Sequence, residues 1–256
     1  MPIALITGAT AGIGAAFTQM LAEKGHDLVL VARDLPRMQE QAETYREKYG
    51  VKVEVLQADL SKMNEIARVE ERVSRLSDPI DVLINNAGFG LNKTFSTSAV
   101  DDEQQLLDVL VTAPMRITHA ALPQMRSRKS GTIINVSSVA GWIAGGTYSA
   151  AKSYMTVFSE SLHTELRGTG VKILALCPGF THTEFHQRGR MKMSGLPSFL
   201  WLDADRVVAD AWSDSQSGKA ISVPGSQYKV LSWLSRKAPR GWVRRIGMGV
   251  RTRQRR

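Results

Sequence analysis

The chain has 256 residues, 43% of them hydrophobic and 22% charged, with a formal net charge of +9. That balance is ordinary globular material, which excludes a disordered or fibrous chain, and no apolar run approaches the roughly 20 residues that span a bilayer. The charge is uneven: residues 225 to 256 hold ten Lys/Arg and no Asp/Glu, whereas the preceding 224 residues carry 23 basic and 24 acidic side chains.

Ile3-Ala4-Leu5-Ile6 runs straight into a glycine loop with no basic, apolar leader before it. Cys177 is the only cysteine, so no internal disulfide can form. Together these predict a cytoplasmic protein. Short apolar runs at Ile3 to Thr7, Leu28 to Ala32, Val51 to Leu56, Val82 to Asn85, Thr132 to Ser137, Lys172 to Cys177 and Ala220 to Val223 read as seven strands, with amphipathic stretches between most of them. Such alternation predicts one α/β domain, a doubly wound, Rossmann-like parallel sheet with helices on both faces.

The first strand ends in Thr7-Gly8-Ala9-Thr10-Ala11-Gly12-Ile13-Gly14, and a helix over Ala15 to Ala22 follows. A backbone without Cβ can approach a pyrophosphate, while the N–H groups that open a helix favour its negative charge. In this strand–loop–helix setting the glycines therefore predict a dinucleotide cradle. The second strand ends in Arg33-Asp34, where an acidic residue suits a ribose hydroxyl and an arginine suits a 2′-phosphate, so Arg33 points to NADP, with NADPH preferred over NADH.

Downstream, Tyr148-Ser149-Ala150-Ala151-Lys152 places a phenol four residues ahead of an ammonium on one helical face. The positive charge is expected to stabilise the phenolate and lower the tyrosine pKa into a range useful for proton transfer. His182, Glu184 and His186 alternate in a loop and do not match helical metal-ligand spacing, so no metal is assigned.

The ordered set formed by the Thr7 to Gly14 loop, Asp59-Leu60, Asn85-Asn86-Ala87-Gly88, Ser137-Ser138, Tyr148 with Lys152, and Pro178-Gly179 followed by Thr183 resembles the short-chain dehydrogenase/reductase family, of the compact kind, from about residue 3 to residue 225. The resemblance implies a hydride exchange between NADP(H) and a carbonyl or alcohol, with Tyr148 as the acid/base, Lys152 tuning it and holding the nicotinamide ribose, and Ser138 anchoring the carbonyl. It further implies that Asp59, with Leu60, meets the adenine, that Asn85 to Gly88 line the cofactor cleft, where Asn85 and Asn86 can also brace the sheet, and that Pro178, Gly179 and Thr183 face the nicotinamide. Ser137 would stand in as the neighbour of Ser138. The ten-residue step from Ser138 to Tyr148 is short for the family and predicts a tight loop over Val139 to Thr147.

One position departs from the pattern. Leu110 stands where the family commonly has an asparagine that supports a helix kink and a proton relay; a shift of two residues would put Asp108 there instead, and Pro114 can supply a break in its own right. The departure leaves a runner-up, an NADP-binding scaffold with weak or no catalysis.

The resemblance places a substrate lid within residues 181 to 205, where Met191, Met193, Leu196, Phe199, Leu200 and Trp201 favour a bulky hydrophobic ketone or aldehyde over a polar sugar. Helices over Ala113 to Met125 and Ala151 to Leu166 correspond to those that pair in family dimers and tetramers. The basic tail, residues 226 to 256, mixes Val230, Leu231, Trp233, Leu234, Trp242, Val243 and Ile246 with arginines and lysines. Three readings are open for it: packing beside the substrate entrance with Arg251 to Arg256 fraying, seating on an anionic membrane surface, or nonspecific nucleic-acid binding without a recognised module.

Overall fold

The computed structural model describes residues 1–184, 197–239 and 241–243. Strands β1 (Ile3–Thr7), β2 (Asp27–Ala32), β3 (Val53–Gln57), β4 (Val82–Asn85), β5 (Gly131–Val136), β6 (Val171–Leu176) and β7 (Ile221–Ser222) form one sheet in the order β3-β2-β1-β4-β5-β6-β7, with every neighbouring pair parallel. The predicted strands are all present, β1 and β4 with the predicted bounds and the other five with ends displaced by one or two residues. Pairing register, which local hydrophobicity cannot fix, decides those ends.

Helices α1 (Gly12–Glu23), α2 (Leu35–Tyr49), α3 (Met63–Ser74), α4 (Val100–Leu107), α5 (Ala113–Ser127), α6 (Thr147–Glu165), α7 (Ala204–Gln216) and α8 (Ser226–Lys237) accompany the sheet. The central strands are apolar on both faces because both faces are covered. In β1, Ala4 and Ile6 join a core with Phe17 and Leu21 of α1, Met38 of α2 and Val207 of α7, whereas Leu5 joins a second core with Val69 of α3, Ile117 of α5 and Leu162 of α6. At roughly 1.5–3 kcal/mol for each fully buried large side chain, these two layers supply the main driving force for the fold.

Strand order reverses between β1 and β4, where successive connections leave on opposite sides of β1. Parallel α/β sheets open a crevice at the carboxyl ends of the strands there. The buried Asn85 and Asn135 hold that region together: Asn85 Nδ2 donates to Asn135 Oδ1 (2.8 Å) and Thr118 Oγ1 (3.0 Å), and Asn135 Nδ2 donates to Ser159 Oγ (3.0 Å). Of the two readings open for Asn85, the structure shows the brace: it lies behind the crevice, and Asn86, Ala87 and Gly88 line the cleft.

Candidate active site

At the switch point, a cleft of about 1010 Å³ runs from the first βα turn to α8. Its floor at one end is the glycine loop. Thr7, buried at the end of β1, accepts the Asn86 and Ala87 amides at 2.9 and 3.1 Å, and Asn86 Nδ2 donates to the carbonyls of Thr7 (2.9 Å) and Gly8 (3.1 Å). Gly8 takes φ +65, and a Cβ there would lie 2.9 Å from the Ala87 Cα, so close docking of the loop on β4 requires glycine. Gly14 lies behind the loop against the Gly8 carbonyl. Gly8, Thr10, Ala11, Gly12 and Ile13 face the cleft, while Thr7 and Gly14 support them from behind.

Asp34 caps α2 by accepting from the Arg37 amide (3.2 Å), and Asp203 caps α7, whereas Ala11 at the start of α1, which lines the cleft, has no side chain able to accept. The first N–H groups of α1 are left for an anion in the cleft. Glycines that a Cβ would obstruct and an uncapped helix start both fit a dinucleotide pyrophosphate.

Arg33, Asp59 and Leu60 line the end of the cleft beyond β2 and β3, and Asn86, Ala87 and Gly88 the cleft beside β4. Burial works to raise the Asp59 pKa, yet the Ser61 amide (3.1 Å) and hydroxyl (2.8 Å), with the Arg33 charge, hold it below the usual carboxylate range. Pro178, Gly179 and Thr183 close the opposite side, where the Thr183 side chain occupies the space a Cβ on Gly12 would need.

Ser138, Tyr148 and Lys152 converge between these walls. Ser138 lies two residues past β5, caps the 3-10 turn that follows by accepting from the Ala140 amide (3.1 Å), and hydrogen-bonds the Tyr148 phenol. Tyr148 belongs to the first turn of α6, which starts at Thr147 and carries Lys152 one turn on. The connection from Ser138 is tight: a 3-10 turn, Val139–Trp142, then Gly146 at φ +84. Ser137 is no second carbonyl anchor. Its hydroxyl is engaged by the Lys152 carbonyl (2.6 Å) and the Thr156 hydroxyl (2.8 Å), which fixes α6 against β5.

The electrostatics correct one expectation. Burial pushes the Tyr148 pKa up to about 12, and the hydrogen bond with Ser138 is what works against that rise. Lys152, buried, is itself pushed down to about 8 by desolvation. Its Nζ donates to the Val136 carbonyl at 2.6 Å and lies 5.7 Å from the centre of the Tyr148 ring. In the free chain, dehydration outweighs the Coulomb attraction that helical spacing suggested, and Tyr148 remains a neutral phenol.

Beneath Lys152 the long helix does break, though not through proline alone. Asp108–Thr112 forms a π-helical turn between α4 and α5. Leu110 is buried there with its Cδ2 2.8 Å from where a Cβ on Gly88 would sit, whereas the Asp108 carboxylate accepts from Gln104 on the same helix. Leu110 packs behind Gly88, and the neighbours that line the cleft are Gln105 and Val109 rather than Leu110 or Asp108.

Six further residues, none of them singled out for the site from sequence, contribute to the cleft or brace it. Trp142 lines the cleft from the 3-10 turn, and Leu231, Ser232 and Ser235 do so from α8. Tyr228 of α8 lays its ring over Gly179, where no Cβ would fit, accepts from the Phe180 amide (2.9 Å) and donates to the Leu200 carbonyl (2.5 Å). Arg37 of α2 pairs with Glu184 across 147 residues, at 2.7 Å. Within the expected lid, Trp201 stacks on His182 at 4.7 Å, and Phe199 and Leu200 form a short 3-10 turn; His186, Met191, Met193 and Leu196 lie outside the described residues. Among the described residues there is no cluster of three or more metal-ligating side chains, and no helix is long and apolar enough to cross a membrane.

A seven-stranded parallel sheet with this cleft at its switch point defines a nicotinamide-cofactor oxidoreductase of the Rossmann class. The family model for short chain dehydrogenase matches residues 2–193, and the chain belongs to that family. It is 32% identical to the ketoacyl reductase HetN of Nostoc sp. over 91% of this chain and 81% of that protein. Among solved structures, a short-chain dehydrogenase from Sphingobium yanoikuyae in complex with NADPH superposes with a TM-score of 0.84 at 32% identity, covering 92% of this chain and 94% of the other. The bulky-bulky ketone specific alcohol dehydrogenase of Comamonas testosteroni does so with a TM-score of 0.80 at 30% identity, covering 92% of each.

Proposed function

We propose that the chain reduces bulky hydrophobic ketones or aldehydes with NADPH. The observation that carries this reading is the convergence of the Tyr148 phenol, the Ser138 hydroxyl and the Lys152 ammonium in one cleft with the uncapped start of α1 and Arg33. Ser138 and Tyr148, already hydrogen-bonded to each other, would hold the substrate oxygen between them, which fixes the carbonyl and prepares a proton for it. The bound nicotinamide supplies the hydride that reaches the carbonyl carbon. As alkoxide charge develops on the oxygen, Tyr148 hands over its proton, and Lys152 stabilises the phenolate that remains. The raised Tyr148 pKa suits this direction, since the phenol stays loaded at neutral pH. Glycine-loop amides would hold the pyrophosphate, Asp59 the adenine, and Lys152 the nicotinamide ribose.

NADPH is the preferred partner in this reading because Arg33 lines the cleft, and Asp34, which lines it too, has one carboxylate oxygen engaged in capping α2. Relatives point the same way for their own chemistry: one neighbour is an NADPH complex and another is named for bulky ketones. The apolar walls formed by Trp142, Ile143, Phe180 and Leu231 favour such a substrate here. The π-helical turn at Leu110 supports turnover over a silent scaffold, since the widened helix exists without an asparagine side chain.

The test is oxidation of NADPH and NADH, followed by nicotinamide fluorescence, over a panel of bulky and small carbonyls with Tyr148→Phe as control. NADPH-selective, Tyr148-dependent turnover of the bulky members is expected. Tight NADPH binding without oxidation by any of them would favour the scaffold.

A further inference from the structure

Helix α8 is built inside out. Its inward face carries hydroxyls: Tyr228 and Ser232 are buried, and Ser232 with Ser235 lines the cleft. Its outward face is apolar, with Val230 58%, Leu231 49%, Trp233 61% and Leu234 49% exposed, and Trp242 just beyond the helix is 68% exposed. A helix lying on a globular core ordinarily turns its apolar stripe inward and its polar side to water. Here the stripe faces away from the protein, and Lys229, Arg236 and Lys237 flank it.

We propose that this face docks on an anionic lipid bilayer and sets the mouth of the cleft against the membrane surface. Aliphatic and tryptophan side chains on one side of a helix, rimmed by Lys/Arg, match what the interfacial layer of a bilayer accepts. The ten Lys/Arg of residues 225 to 256, with no acidic residue among them, complement anionic headgroups. The same charge argues against a second copy as the occupant, because a two-fold contact would set two such cationic segments against each other. A nucleic acid would leave the apolar stripe stranded against phosphates.

The docking face is joined to the chemistry. Leu231 belongs to both the outer stripe and the cleft wall. The Arg236 guanidinium sits 4.5 Å over the ring of Trp142, which lines the cleft from the turn before Tyr148. Tyr228 ties the helix to Phe180 and Leu200. A membrane-seated α8 would thus admit an apolar substrate directly from the lipid; that route rests on the hydrophobic-carbonyl reading, whereas the docking does not.

The full chain is incubated with vesicles of phosphatidylcholine containing roughly a quarter phosphatidylserine, and with pure phosphatidylcholine vesicles, and binding is read by co-sedimentation and by tryptophan quenching with brominated lipid. Binding to the anionic vesicles is expected, weakened about tenfold or more on pure phosphatidylcholine and at about 0.5 M salt. The double variant Trp233→Glu/Leu234→Glu should lose about tenfold or more of that affinity while oxidising NADPH with a water-soluble ketone at the wild-type rate, which shows that it is folded. Equal vesicle binding by the variant overturns the proposal, as does a wild-type chain that ignores vesicles or whose tryptophans are not quenched. Binding to RNA in preference to vesicles, or a dimer that the double variant dissociates, overturns it in favour of those occupants. Vesicle binding without any carbonyl turnover would leave the docking standing and remove the reductase reading; turnover without vesicle binding does the reverse.

Discussion

The two ends of the cleft are made in different ways. The glycine-loop end is built around one contiguous strand–loop–helix unit, β1 to α1, which Thr7 and Asn86 lock to the end of β4. The other end is assembled from pieces far apart in the chain, with Trp142, Phe180 and Leu231 meeting only because α8 folds back over the 3-10 turn before α6 and the loop that follows β6. A cradle for an invariant pyrophosphate can be encoded locally. A wall that sets substrate shape is adjusted at several remote positions, which lets one scaffold serve many carbonyls.

The sharpest way to break the comparison lies between the ends. Tyr148→Phe should lower kcat by about a thousandfold, within the usual range for a lost general acid, and leave NADPH affinity unchanged in a fluorescence titration. Loss of cofactor binding instead would make Tyr148 a structural part of the cradle.

Next comes the cradle. Gly8→Ala adds a Cβ at φ +65 that meets the Ala87 backbone, and should cost about 2–4 kcal/mol of stability, read by urea denaturation, together with most of the NADPH affinity. An unchanged denaturation midpoint would mean that the loop is not docked as described.

The pH profile tests the link between the ends. Because burial depresses the Lys152 pKa to about 8, the ammonium is present below that pH and lost as pH rises through it. Reductive kcat/KM should therefore fall above pH 8, while Tyr148, held near 12, stays protonated throughout that range. A profile flat to pH 10 would show that Lys152 keeps its proton or is not needed.

On the substrate side, Tyr228→Phe removes the acceptor for the Phe180 amide and the donor to the Leu200 carbonyl. It should cost about 1–3 kcal/mol of stability and raise KM for bulky ketones more than it changes NADPH affinity. Equal losses on both would erase the division between the two ends. The smallest effect is expected for Glu184→Gln: its ion pair with Arg37 is about a third exposed on each side, and such pairs contribute about 0–1 kcal/mol.

What sequence alone determined is whatever depends on neighbours along the chain. The strand–glycine–helix signal, the alternation of apolar runs and the Tyr148 to Lys152 spacing gave the sheet, the cradle and the three polar groups, because φ preference, periodicity and helical pitch are local properties. Residues 185–196, where much of the expected lid falls, and residues 244–256 lie outside the described residues. Tertiary structure decided what depends on burial and on distant partners. Helical spacing promised Tyr148 a lowered pKa, but desolvation, a property of the packed cleft, raised it and depressed Lys152 instead. Asn85 looked like its three successors in sequence, yet its position inside the sheet made it a brace. Nothing near Tyr228 marks it as the pin of the substrate loop, since its partners lie 48 and 28 residues away. Periodicity within α8 could show an apolar stripe, but only the fold shows that the stripe faces outward.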